Sequence, residues 1–465
     1  MSKRRDAPSK SQVKNQVHAR VTRAVRAYGA VDFFNTLAGP FGKLTDALSP
    51  DHRERLYPPT VTLSMFLSQA LHADHSCQRA VNEWAAMRAA EGLPPQSVRT
   101  GGYCRARLRL PTAMIRTLAQ ETGGHLCRQA AMHWRWQGRC VKLIDGTGIS
   151  MPDTPLNQSC YPQLSSQAAG AGFPLARLVA VICLSTGGLL DAAIGPFEGK
   201  GHGEHGLLRG LLGAFQTGDV VLGDALFSSY WLIAALQTAG VDGVFTQHAG
   251  RRTDFRRGQR LGKHDHVVNW KKPRQAPSWM SEEAYAACPS LLTMREVRCG
   301  HRTLVTTMLD PQQVSPRALG ELFAKRWQVE LDLRAIKTIL GMEVLRCQTP
   351  EMIEKELWTY LLAYNLIRVL MAEAAGRSSL HPRDISFKHT VQMTLSWLCL
   401  RRPSRKPTDI STLCKMIAQC QVGKRPGRVE PRARKRRPKS FPWLKVPRPV
   451  AREQARQTGY GSASK

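Results

Sequence analysis

Apolar positions along this chain change period twice, and each change marks a different kind of element. Over residues 17–136 they recur at helical spacing. Val61, Leu63, Phe66, Leu67 and Leu71 form one stripe, and Ser76 stands where it would cap a second helix carrying Val81, Trp84 and Met87. A third helical segment is expected over 97–110, ending before Pro111. Short β-branched runs separated by glycines follow. They predict strands at 141–144, 178–184, 189–194, 220–222 and 241–246, with helices at about 204–216 and 230–239, which indicates an α/β sheet. Strand-like runs return at 294–298 and 304–309. Ser315-Pro316 then opens a long helix to about Leu340 by cap and first-turn proline logic, and a second helix is expected over about 350–375.

These patterns divide the chain. Residues 1–15 are polar and charged without apolar periodicity and read as a disordered basic N-terminus. A helical domain spans 16–138, and an α/β domain spans 139–375. Within the latter, about 248–300 is basic and proline-containing and reads as an insertion. A helical segment covers 376–421, and 422–465 is a basic tail in which prolines interleave with Lys and Arg, an extended arm that builds no core.

Charge narrows the partner. Lys and Arg number 67 against 35 Asp and Glu, a formal net charge of +32, which calls for a polyanion, with nucleic acid first. Arg99, Arg105, Arg107 and Arg109 fall in one short segment, as in a helix lying on phosphates; a solvated basic face accounts for them equally well. The start lacks the apolar core of a secretory signal. The most apolar stretch, 357–372, is interrupted by Asn365 and Arg368 and is shorter than the roughly 20 residues of a membrane span. No membrane partner and a cytoplasmic, nucleoid-associated location are therefore expected. Twelve cysteines are scattered without C-x-x-C pairs or zinc spacing, so packed thiols are expected and no metal is placed on sulfur.

Three acids stand where phosphodiester chemistry would use them. Asp145 follows the run at 141–144 and precedes Gly146-Thr147, so its carboxylate is expected at the strand's carboxyl end. Asp224 repeats the arrangement after Val220-Val221-Leu222-Gly223. Singly, each is as readily a turn former or helix cap. Phe323, Arg326, Glu330 and Lys337 lie at offsets of 3, 7 and 14 in the expected long helix, within an arc of roughly 60° at the helical repeat. Periodicity alone also allows an ordinary ion-paired stripe, since Lys325, Asp332 and Arg334 carry charge elsewhere on this helix. Such a set would serve two divalent cations about 3.5–4 Å apart across a phosphate, with Arg326 and Lys337 meeting phosphate oxygens. Hard oxygen ligands suit Mg2+ or Mn2+. The segment 199–205, with His202, Glu204 and His205, lacks H-E-x-x-H spacing and reads as a turn into a helix, leaving Glu204 for an outer contact. Ser228 and Ser229 lack a glycine-flanked elbow and read as helix caps.

Phe323, Arg326, Glu330 and Lys337 resemble, with Phe for the usual Tyr, the Y-x2-R-x3-E-x6-K signature of the insertion-sequence-four family of DDE transposases. Leu143-Ile144-Asp145-Gly146-Thr147 looks like that family's first-acid strand, and Gly218 to Asp224 with Phe227 like its second. The acids are about 80 and 105 residues apart, leaving room for the β-rich insertion typical of the family. The resemblance implies a ribonuclease-H-like catalytic core with that insertion, behind an N-terminal helical domain that recognises terminal inverted repeats. It implies metal ligation by Asp145, Asp224 and Glu330, two Mg2+ (or Mn2+) ions, and DNA contacts from Phe323, Arg326 and Lys337. It also implies cut-and-paste transposition on double-stranded element ends and target DNA, by a homodimer in the synaptic complex. Phe323 keeps the ring and loses the hydroxyl. Some relatives steady a DNA hairpin with a Trp before the third motif; here His301-Arg302-Thr303 stands there, and Trp270 or Trp279 would have to substitute. Two other readings use the same residues: a nuclease or resolvase without strand joining, and a DNA-binding protein without activity.

Overall fold

The computed structural model describes residues 56–90, 92–400, 410–423 and 444–458. The expected disordered N-terminus, the first 40 residues of the helical domain and the stretch 424–443 of the tail lie outside them.

Among the described residues four helices come first: α1 (Pro59–Leu71), α2 (Cys77–Ala90), α3 (Gly101–Arg109) and α4 (Thr112–Arg128). Ser76 Oγ does accept from the Arg79 amide at 3.1 Å, as its position implied. The strands β1 (Val141–Ser150), β2 (Leu175–Cys183), β3 (Leu189–Pro196), β4 (Val220–Gly223), β5 (Asp242–Thr246), β6 (Gln259–Gly262), β7 (Asp265–Lys271), β8 (Leu291–Cys299) and β9 (Arg302–Thr306) build one nine-stranded sheet in the order β3-β2-β1-β4-β5-β9-β8-β7-β6. Short helices α5 (Pro155–Cys160), α6 (Glu204–Arg209), α7 (Tyr230–Thr238) and α8 (Glu282–Ala287) lie between strands. β1, β4 and β5 run parallel, and every other neighbouring pair is antiparallel. The insertion therefore extends the sheet through β9 rather than standing apart from it. β6 and β7 were not apparent in the sequence because β6 is only four residues long and both lie in a stretch rich in basic residues.

Strand alternation sorts the core onto two faces. Val141, Leu143, Val220 and Leu222 join one cluster with α1, α3 and α4, while Ile144, Val179, Val181, Val221 and Phe245 pack on the other side with α6 and α7. The helical segment and the first face thus share a single core. α11 (Pro350–Gly376) crosses it, and buried Asn365 bonds the Ala119 and Leu189 carbonyls and accepts from the Leu189 amide, each at 2.8 Å. Gly123 is required there: a Cβ would stand 1.8 Å from the Leu189 carbonyl oxygen.

The expected long helix after Ser315 runs without a gap from Pro316 to Ile339, but its hydrogen-bond pattern changes along the way. It is α9 (Pro316–Ala324), a 3-10 turn (Lys325–Trp327), α10 (Gln328–Arg334) and a π turn (Ala335–Ile339). Ser315 does cap it, accepting from the Ala318 amide. α12 (Phe387–Leu400) and α13 (Ser411–Gln419) follow, and α14 (Arg448–Thr458) is a correction, since the tail was expected to be extended throughout.

Candidate active site

The site forms where β1, β4, α6 and α10 meet. Asp145 lies in the interior of β1, not at its end as the sequence led us to expect. The strand continues because β2 pairs with it from Lys142 to Ser150, and glycines 146 and 148 make room for Glu204 and Phe197. Asp145 has the parity of Val141 and Leu143, so it lies on the face that α10 covers. In the parallel pair, Leu143 stands opposite Leu222, so continuing the register by two brings Asp145 level with Asp224, just past the end of β4. Asp224 Oδ1 accepts from the Leu226 amide at 2.9 Å, which fixes the turn.

Burial pushes the Asp145 carboxyl up from 3.8 to about 6. The Gly146 amide and the Arg326 guanidinium oppose that rise, while Asp224 and Glu204 add to it. Arg326 also bonds Glu330 Oε1 at 2.7 Å. One cation thus answers both the first acid and the third. Lys337 Nζ, in the π turn, reaches Thr147 Oγ1 at 3.2 Å, two residues beyond Asp145. The π turn breaks the regular 100° step on which the single-stripe reading rested, yet Arg326, Glu330 and Lys337 all still face the β1 edge or one another.

Glu204 is the residue that sequence reasoning left outside. Its carboxylate lies over Gly146, where an added Cβ would come within 2.6 Å of Oε1, and Arg177 holds it at 3.1 Å. Its position at the start of a helix after a glycine turn was the available signal. The 199–205 segment is that turn, and Ser229 caps α7 by accepting from the Leu232 amide. Among the described residues, Asp145, Asp224 and Glu330 are not drawn to within 4.8 Å of one another; Glu330 is engaged by Arg326 instead.

Two expected DNA contacts sit elsewhere. Arg107 is buried, its guanidinium 4.7 Å from the Phe66 ring centroid and 5.2 Å from that of Tyr103. Residues two apart on a helix are 200° apart, so Arg105 and Arg109 stay exposed while Arg107 turns inward. Phe323 is 5 % exposed and packs in the main core, so its ring serves packing rather than a surface contact. Trp270 is buried and bonded to Glu296; Trp279 is exposed beneath the Arg209 guanidinium.

Carboxylates on two adjacent parallel strands, faced by a helix that carries a third acid with Arg and Lys, mark a DDE transposase. The transposase DDE domain family matches residues 136–366, from just before β1 into α11. The chain belongs to the insertion-sequence-four family of these enzymes. Transposase InsG for insertion sequence element IS4, from Escherichia coli (strain K12), is 27 % identical over 441 residues, covering 90 % of this chain and 97 % of that one. Among solved structures, a piggyBac transposase synaptic complex with hairpin DNA is similar at a TM-score of 0.42 and 10 % identity, covering 88 % of this chain and 87 % of that one. DDE transposases generally use divalent metal ions. No described helix is long and apolar enough to cross a membrane.

Proposed function

We propose that this transposase cuts DNA at the ends of its element and joins those ends to target DNA, with Asp145, Asp224 and Glu330 as the metal-holding acids. The carrying observation is Arg326, which binds Glu330 at 2.7 Å while its charge acts on Asp145, in whose field Asp224 also lies. The strand order β3-β2-β1-β4-β5, antiparallel then parallel, supports a ribonuclease-H-like core extended by the insertion.

The residues fit hard divalent cations. Asp145 is partly buried among other carboxylates and held protonated up to about 6, so its oxygens gain most from a nearby positive charge. Asp145, Asp224 and Glu330 would hold two Mg2+ or Mn2+ ions, which when bound supply charge neutralisation at a phosphate and an activated water or 3′-hydroxyl. Arg326 balances the acids and is placed to meet nonbridging phosphate oxygens once Glu330 turns to its ligand role. Lys337 is held on the Thr147 side of the same edge for the neighbouring phosphate. Glu204, tied to Arg177, packs over Gly146 beside Asp145. Phosphate-binding arginines such as Arg105 and Arg109 give affinity without sequence information. Double-stranded inverted repeats and target DNA are the substrates, brought together by a homodimer.

The test uses purified protein, its own element's ends and magnesium, comparing the wild type with Asp145→Asn, Asp224→Asn and Glu330→Gln. All three variants are expected to keep end binding and lose cleavage by at least about 1000-fold, the scale of losing a main electrostatic stabiliser. Cleavage near the wild-type rate in any one of them sinks the assignment. Precut ends separate the reading from a nuclease: a transposase joins them to target DNA and a nuclease does not.

A further inference from the structure

Cys127 lies at the end of α4, Cys140 just before β1 and Cys183 at the end of β2. Their sequence spacing matches no metal motif, yet the fold collects them. The Leu184 amide bonds the Val141 carbonyl at 2.8 Å, which brings the end of β2 beside the start of β1, and α4 packs against the neighbouring β3. The Cys127 and Cys140 sulfurs are 3.0 Å apart, and all three sulfurs lie within 4.8 Å of one another. Cys183 contacts both other thiols and Thr186. Cys127 and Cys183 are buried, and Cys140 is half-buried. A cleft of about 220 Å³, lined by Gly124, Cys127, Lys142, Leu190 and Asp191, reaches one member of the group, Cys127, from solvent.

We propose that Cys127, Cys140 and Cys183 form a trigonal thiolate site for a soft monovalent cation, Cu(I), separate from the carboxylate site. Three sulfur donors select thiophilic ions over the hard cations that suit Asp145 and Asp224. Zinc completes its shell with a fourth donor, and no imidazole or carboxylate joins this group among the described residues. Metal–sulfur bonds near 2.3 Å in a trigonal plane place the sulfurs about 4 Å apart. That lies within the present envelope once Cys127 and Cys140 separate by about 1 Å, a side-chain adjustment open to staggered χ1 rotamers. Each thiol gives its proton to water as its bond to copper forms, with no change of oxidation state; Lys142, which lines the same cleft, is already paired with Asp219 at 2.5 Å, so the site carries its negative charge toward the solvent side of the cleft. Bound there, the ion would tie the end of α4 to β1 and β2.

The test is anaerobic titration of the full-length, reduced, chelator-stripped protein with Cu(I) against a chromogenic Cu(I) chelator, following the ultraviolet thiolate-to-copper band. Wild type and Cys160→Ser, which alters an exposed cysteine, are expected to take up about one equivalent more tightly held copper than Cys140→Ser or Cys183→Ser. Copper is expected to raise the melting temperature of the wild type by a few degrees and leave that of Cys140→Ser unchanged. Cys140→Ser is the variant least exposed to folding failure, and far-ultraviolet circular dichroism establishes that it is folded. Equal uptake by wild type and folded Cys140→Ser overturns the site. Displacement of the copper by an equal concentration of Zn(II) overturns the choice of ion.

Discussion

The first and third acids of the site are held by opposite physics. Asp145 stands in the interior of a hydrogen-bonded strand between two paired neighbours, and its environment works against its charge. Glu330 stands on a seven-residue helix with a 3-10 turn before it and a π turn after it, and its environment supplies a counter-charge. What anchors that short helix is Asp332, two residues on and turned the other way. It is fully buried, bonded to Arg368 of α11 and to Arg383 at 2.6 and 2.7 Å, and Arg383 in turn bonds the Cys183 and Leu184 carbonyls. A sheet thus holds its acid rigidly at a cost in solvation, whereas a short helix holds its acid through a buried ionic clamp behind it.

The largest effect should come from breaking the clamp in a way that leaves Glu330 intact. Asp332→Ala strands two buried guanidiniums and is expected to destabilise the protein by about 3–5 kcal/mol, read as a lower denaturant midpoint, with cleavage falling alongside. Asp332→Asn, which keeps a carbonyl acceptor, should lose less.

Asp145→Asn should do the reverse to stability. An acid whose folded value is raised binds its proton more tightly in the folded chain. In metal-free wild type, stability should therefore fall as pH rises from about 4 to about 6 and remain lower above that. Asparagine carries no such penalty. The variant should be more stable than wild type by roughly 1–3 kcal/mol at neutral pH while cleavage is abolished, and the difference should vanish below pH 4. Chemical denaturation at several pH values measures this. A pH-independent difference would remove the distinction between the two acids.

Arg326→Ala tests the link between the two regions. Its side chain is 17 % exposed and that of Glu330 35 %, so losing this part-buried ion pair is expected to cost about 1 kcal/mol of stability. Cleavage is expected to fall about 10- to 100-fold because Glu330 and Asp145 lose their shared cation. The smallest effect is expected from Gly146→Ala. Its Cβ displaces the Glu204 side chain rather than backbone and strains the Arg177 ion pair that holds it, so stability should fall by about 1 kcal/mol and cleavage by about tenfold or less.

Much of this was legible along the chain because its signals are local. The Ser315-Pro316 start, the core strands and α11 follow from alternation, helical period and capping chemistry, which neighbouring residues decide among themselves. The three proposed acids, with Arg326 and Lys337, were likewise singled out by their motifs, and the structure sets Arg326 against Glu330 and Lys337 against Thr147. Tertiary structure decided the rest, because long-range pairing outweighs local preference. β2 carried β1 past Asp145, the Asp332 clamp stands behind a helix that passes through 3-10 and π turns, β7 became a strand by pairing with β8, and β6 by pairing with β7. Arg107 was taken into the core by Phe66 and Tyr103, and Glu204 and the three cysteines gained meaning only from neighbours distant in sequence. A residue's chemistry is written in its type, but which other groups share its few ångströms is set by the packing of the whole chain.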